Sequence, residues 1–175
     1  MADKPAPASP IPPALAGDLA AGKVRPILLY PDPVLFTRCD DAGYLAQPDI
    51  LTLAADMLAT MYAARGRGLA APQIGVSRRI FVMDAGWKTG QPDPLVMLDP
   101  EILWRSDETD SAVETCLSIP DRPLSVTRSL SITLGWYDLQ GRHRMRQMSG
   151  DAARIAQHEA DHLDGRLILK DPDTA

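Results

Sequence analysis

The spacing of apolar and polar residues divides the chain into a Pro-rich start, two helical stretches and a middle of short alternating segments. From Asp49 to Ala64, Ile50, Ala54, Met57, Leu58 and Met61 recur at helical intervals, which predicts a helix with one face on a core. Pro48 suits its first position, where a missing N–H costs nothing, and Gly66 can end it in the left-handed conformation. A second helix is predicted to begin at Ser149 or Gly150 and to run through "GDAARIAQHEADHLDG", with Asp151 at the positive end of the dipole and Gly165 as the stop. "RPILLY", "RRIFVMD", "PLVMLDP" and "EILWRS" read as short strands. "LSITLGWYDLQGRHRM" alternates on both sides of "DLQG" and reads as a hairpin, so the middle of the chain is expected to be mostly antiparallel sheet.

Residues 1 to 22 differ, because Pro5, Pro7, Pro10, Pro12 and Pro13 remove backbone donors and fix φ. They are expected to form an extended or disordered tail, with residues 23–175 as a single domain. At 175 residues the chain is long enough to bury a core without a disulfide or structural metal. Its 45% hydrophobic and 23% charged residues are ordinary for a soluble protein, and no apolar run approaches the roughly 18 residues of a membrane span. Two cysteines, Cys39 and Cys116, make no disulfide framework, and the N-terminus lacks a secretory signal, so a cytoplasmic location is expected. The net charge of -5 disfavours nucleic-acid binding. Arg142, Arg144 and Arg146 would share one face of a strand, read as a solvated face. Neither nucleic-acid nor membrane binding is expected.

The second helix carries the candidate chemistry. In "HEADH", His158 and His162 are four residues apart, so their imidazoles stack one turn above another and can converge on one metal ion. Glu159 is rotated about 100 degrees from His158, which sets its carboxylate beside such an ion, where a bound water would sit. Ile155 and Leu163 share the histidine stripe, so this face is expected to be interior, and buried histidines beside a glutamate need a partner for their charge. A catalytic ion of this type takes three protein ligands and keeps one open position. Downstream of His162 only 13 residues remain, without His or Glu, which argues against an H-E-x-x-H endopeptidase. The third ligand must lie upstream, and spacing leaves Cys116, Cys39 and His143 open.

Three motifs make the chain resemble the peptide deformylases, metal-dependent hydrolases that remove the formyl group from the N-terminal methionine of nascent chains. "GRGLAAPQ" at 66–73 is similar to GxGLAAPQ, "ETCLS" at 114–118 to EGCLS, and "QHEADHL" at 157–163 to QHExDHL. The resemblance runs from about Arg25 to Leu169. It implies Cys116, His158 and His162 as metal ligands and Glu159 as general base. It also implies an oxyanion hole from the Gln73 side chain and the Leu117 N–H, and substrate binding along the backbone of Arg67 and Gly68 and at Thr115. The ion implied is Fe²⁺ in the cell, replaceable by Zn²⁺ or Ni²⁺, although a Cys-His-His set alone would point to zinc. The implied partners are the formylmethionyl peptide and the ribosome near its exit tunnel. The implied fold is α+β, with short antiparallel sheets packed around a central metal-bearing H-E-x-x-H helix and the first helix covering one side.

A phosphate-binding reading of the Gly-rich loop fails for want of the G-K-[ST] ending. The sequence departs from the family pattern at Thr115, where glycine is usual, at Pro123, where many members carry arginine, and at Arg65, where an acidic residue is common. The long C-terminal helix of some members is missing. These departures keep two alternatives in view: an enzyme of the same fold acting on another formyl or acyl amide, and a metal-binding relative without catalysis.

Overall fold

The computed structural model describes residues 8–43 and 48–169. Pro5 and Pro7 of the expected tail and the acidic C-terminal end lie outside the described residues. Helix α1 spans Pro48–Ala63 and helix α2 spans Gly150–Leu163, in accord with the periodicity. The end of α1 differs in one respect: Arg65, not Gly66, takes the left-handed conformation, with φ 61. Arg65 N donates to Tyr62 O and Gly66 N to Met61 O, a Schellman ending that satisfies the last carbonyls. A Cβ at Gly66 would lie 2.9 Å from Leu117 Cδ1, so a side chain there would have to move the Leu117 tip. At the end of α2, Gly165 is left-handed as expected, with φ 70.

Between the helices the strands are β1 (Gly68–Ala70), β2 (Ile80–Met83), β3 (Leu95–Arg105), β4 (Thr109–Cys116), β5 (Ile119–Ser129), β6 (Ser131–Tyr137) and β7 (His143–Ser149). Five of them form an antiparallel sheet in the order β1-β2-β3-β6-β7, and β4 pairs with β5 as a separate two-stranded sheet. The expected β6–β7 hairpin is present, with Arg142, Arg144 and Arg146 exposed along it. "PLVMLDP" and "EILWRS" are one strand rather than two, because Asp99, with φ 47, and Pro100 sit in a register shift that bends β3 without ending it.

"RPILLY" is not a strand. It pairs in no ladder: Arg25 N donates to Thr60 Oγ1 on α1, Leu28 N to Gln73 O at 2.7 Å and Tyr30 N to Ser118 O at 2.8 Å. Part of the stretch expected as a tail folds onto the domain among the described residues. Gly17–Ala21 form a 3₁₀ turn, Leu15 and Leu19 pack on the core, and a Cβ on Gly22 would overlap the Ala55 carbonyl of α1.

The large sheet is covered on both faces. Phe81 and Met83 of β2 join Ile132, Leu134, Ala153, Ala156 and Leu163 in one core cluster, while Ile80 and Val82 join Met57, Leu58 and Met61 in another. Period-two alternation within β2 thus separates the α2 side from the α1 side, and all four residues are buried.

Candidate active site

Strand β4 ends beside α2, and its alternation explains what it presents there. Glu114 and Cys116 are buried on one face while Val113 and Thr115 are exposed on the other. On α2, one helical turn sets the rings of His158 and His162 with centroids 5.0 Å apart. Cys116, His158 and His162 bring one ligand atom each to within 4.8 Å of one another. Cys116 Sγ lies 3.4 Å from His162 Nε2. Two ligands at tetrahedral zinc distances would be roughly 3.5 Å apart, so this pair already stands at ligand spacing, with the third donor inside the same 4.8 Å. The two alternatives for the third ligand lie elsewhere. Cys39 is in the α2-side core, where burial raises its thiol pKa, and His143 is exposed on β7 against Tyr137.

Glu114 organises the donors from behind. Its Oε2 lies 2.9 Å from His158 Nδ1, which leaves Nε2 as the ring nitrogen for the Cys116 side. Arg128 donates to both carboxylate oxygens, at 2.6 and 2.9 Å, and Arg154 donates to Oε1 at 2.9 Å. Arg128 also reaches Asp161 on α2 at 2.7 Å. Burial works against a charged Glu114, but its bonds from Arg128 and His158 outweigh this and hold its pKa down to about 2. Burial likewise opposes a charged His158, yet its bonds to Cys116 and Glu114 and the charge of Glu159 raise it to about 10. Sequence reasoning missed this network, though the signal existed: Glu114, two residues before Cys116 on a strand, shares its face.

Glu159 is 4% exposed, and burial pushes its pKa up to about 7 despite the charges of His158 and Arg128. Its Oε2 has no hydrogen-bond partner among the described residues, nor does His162 Nδ1. His162 is driven the other way, well below its ordinary value, by burial and by the charges of His158 and Arg128. A carboxyl kept proton-hungry at neutral pH, beside three soft and borderline donors, suits a hydrolytic metal site.

The Gly-rich loop faces this carboxyl. A Cβ on Gly68 would overlap Glu159 Oε1, so glycine alone allows the approach of β1. The Arg67 carbonyl accepts from Asp84 N next to β2, so alternation turns the N–H and C=O of Gly68 to the free edge of β1. Of the two residues expected to offer backbone groups, Gly68 therefore has them free, whereas the Arg67 carbonyl is engaged in the sheet. Gln73 is buried, its Oε1 taken by Ala70 N at 2.9 Å and its Nε2 directed to Ser118 Oγ at 3.1 Å and towards Cys116 Sγ at 3.7 Å. Leu117 follows Cys116 in the tight turn between β4 and β5 and lines the same cleft.

The cleft encloses about 240 Å³, with Gly68, Gln73, Thr115, Cys116, His158 and Glu159 in its wall. Thr115 is exposed at its mouth and is not among the positive-φ residues, so threonine carries no left-handed strain there. Arg65 also lines the cleft, whereas Pro123 lies on β5 outside it. Among the described residues no helix is long and apolar enough to cross a membrane.

The family model for polypeptide deformylase matches residues 24–174. The chain is 39% identical over 146 residues to the peptide deformylase of Bartonella quintana, spanning 83% of this chain and 82% of that protein. It is 41% identical over 148 residues to that of Agrobacterium fabrum, spanning 83% and 85%. Among solved structures, a class I type b peptide deformylase from Acinetobacter baumannii matches with a TM-score of 0.80 at 33% identity, over 83% of this chain and 97% of that one. The peptide deformylase of Thermotoga maritima matches with a TM-score of 0.77 at 37% identity, over 83% and 95%. The mixed α+β architecture, with its antiparallel sheets and two helices, is peptide-deformylase-like. With that fold, those relatives and a cysteine-histidine-histidine cluster beside a buried glutamate, the chain belongs to the polypeptide deformylase family, hydrolytic enzymes that remove the N-formyl group from nascent polypeptides.

Proposed function

We propose that this chain hydrolyses the formyl amide of N-formylmethionyl peptides through Cys116, His158 and His162 as metal ligands and Glu159 as the proton carrier. The observation that carries the assignment is the convergence of those three donors beside a buried carboxyl whose pKa is raised to about 7. A bound divalent ion would supply Lewis acidity at the formyl oxygen and acidify the attacking water. Glu159 takes the proton of that water at its carboxylate and returns a proton to the departing amine nitrogen. Gln73 Nε2, fixed by the bond that Oε1 accepts from Ala70 N, donates to the formyl oxygen together with the Leu117 N–H as charge develops there. The free edge at Gly68 holds the peptide backbone as an added strand, with the Arg67 side chain and Thr115 at its borders. Formate and a free N-terminus result.

In this reading α2 is the metal-bearing helix at the centre of the domain formed by residues 23–175, and the chain acts in the cytoplasm on peptides leaving the ribosome. The ion is Fe²⁺ in the cell, with Zn²⁺ or Ni²⁺ able to replace it. Support for a methionyl substrate comes from the Acinetobacter baumannii enzyme, which has been solved with Met-Ala-Ser bound and matches this chain with a TM-score of 0.76. A second reading, hydrolysis of another formyl or acyl amide, is favoured by Thr115 and Arg65 at the cleft.

Anaerobically purified protein given formyl-Met-Ala-Ser should release formate, and Glu159→Gln should stop release while the ion stays bound. No formate after loading with iron, nickel and zinc in turn would sink the assignment.

A further inference from the structure

One end of the cleft gathers positive charge that the hydrolysis does not use. Arg65, Arg67 and Lys88 all line it. The Arg65 guanidinium lies 4.9 Å from the centre of the Trp87 ring and Lys88 Nζ 5.5 Å from it, so two cations share one indole. That indole is a fixed platform: Trp87 is buried, its Nε1 donates to Gly66 O at 2.9 Å, and Tyr62 packs edge-on against it at 5.4 Å. Arg67 has a carboxylate partner in Asp151 at 3.1 Å, at the exposed surface. Neither Arg65 nor Lys88 has one among the described residues, and the Arg65 side chain instead donates to the Pro10 carbonyl at 2.7 Å. Burial first, and then the neighbouring charges of Arg67 and Arg65, lower the pKa of Lys88.

The position of the cluster fixes what it can meet. The edge of β1 is buried beyond Leu69 and opens towards Arg67 and Arg65. A peptide paired at Gly68 with its formyl group at the metal ligands therefore leaves past these cations. Arg65 is three residues from Gly68, at most about 10 Å of extended backbone, which is the reach of the second to fourth substrate residue.

Resting on the deformylase reading above, we propose that Arg65, Arg67 and Lys88 form a carboxylate-recognition subsite that makes the enzyme prefer formyl peptides bearing a negative charge two to four residues after the N-terminus. The carboxylate has two sources, an acidic side chain or the free C-terminus of a short peptide. Exposed ion pairs are individually weak and screened by salt, so the preference is modest and greatest at low ionic strength.

The test compares kcat/KM for formyl-Met-Ala-Glu-Ala-amide, formyl-Met-Ala-Ala-Ala-amide, formyl-Met-Ala-Lys-Ala-amide and formyl-Met-Ala-Ala with a free carboxyl group, using the full-length metal-loaded chain. The Glu peptide should exceed the Ala peptide by about 2- to 5-fold at low salt, and the Lys peptide should be poorest. A rate advantage for the free-carboxyl tripeptide without one for the Glu peptide would assign the subsite to C-termini. The double variant Arg65→Glu/Lys88→Glu should invert the Glu-to-Lys ratio, which loss of folding cannot do. Calorimetry with the deformylated products Met-Ala-Glu-Ala-amide and Met-Ala-Ala-Ala-amide separates the two readings. Tighter binding of the acidic product with no formate from any peptide would retain the subsite and remove the deformylase activity. Equal binding and equal rates for acidic and neutral peptides would overturn the subsite and leave the activity standing.

Discussion

The carboxylate of Glu114 stands 2.9 Å from Nδ1 of His158 and is itself gripped by Arg128 and Arg154, so a metal-ligand candidate on α2 takes its ring orientation from strand β4. Partners of this kind fix the tautomer and basicity of a ligating imidazole, and their loss commonly costs 10- to 100-fold in metal affinity. Glu114→Ala is therefore expected to weaken metal retention by about that factor, measured as metal content after dialysis against graded chelator. Unchanged retention would separate Glu114 from the metal site.

Cys116→Ser keeps the size of the side chain and removes the thiolate. Because the donors lie within 4.8 Å of one another, the expected result is loss of the bound equivalent of metal with the fold kept. Metal analysis beside circular dichroism checks it, and a full equivalent in the variant would refute the ligand assignment.

Gly68→Ala places a methyl group where the Glu159 carboxyl lies. The carboxyl must shift, so kcat should fall by about 100-fold while metal content holds, since misplacing a catalytic group by an ångström costs about that much. Full activity would mean that β1 or Glu159 yields freely.

Tyr62 donates to Asp84 Oδ2 at 2.6 Å in the interior, and Asp84 Oδ1 accepts from Asp93 N. Burial, the hydrogen bond and the Asp84 charge all raise the Tyr62 pKa, so the hydroxyl stays protonated as a donor. Tyr62→Phe strands a buried carboxylate oxygen and is expected to cost about 1–3 kcal/mol, read from urea denaturation.

Asp138 closes the β6–β7 turn, accepting from Gln140 N, Arg142 N and Arg144 Nε. Slight burial opposes its charge, but the Arg142 N–H, Arg144 and the Gln140 N–H prevail and hold its pKa below the ordinary value. A depressed carboxyl pKa stabilises the fold above the unfolded value of about 3.9 and loses that contribution as pH falls through the folded value. Asp138→Ala should thus destabilise the chain at pH 7, and the gap between variant and parent should close below about pH 4. A gap independent of pH would assign the effect to packing.

What could be read from the sequence follows from how regular each element is. A helix has one fixed period, so α1, α2 and the pairing of His158 with His162 were legible from spacing. The β4–β5 hairpin was not, because β4 exposes Thr109, Asp110, Ser111, Val113 and Thr115 and buries only Glu114 and Cys116, leaving no apolar alternation to find. Asp99-Pro100 imitates a turn, and tertiary pairing makes it a bulge. Cys116 comes from a segment 46 residues before His162, a distance over which spacing carries no information, so the resemblance to a family supplied what periodicity could not. Arg128 escaped for the same reason, whereas Glu114 was open to period-two reasoning once β4 is taken as a strand.

The extended run near Leu28 and Tyr30 gives up a place in the sheet, and its two amides tie down the loops of Gln73 and Ser118, which lie 45 residues apart in the chain. Those loops carry the two groups assigned to the formyl oxygen. Their separation is thus set by a splint of main chain, whose dimensions do not depend on which side chains decorate it. Proline at residue 28 or 30 would break the splint, because it has no amide hydrogen to give.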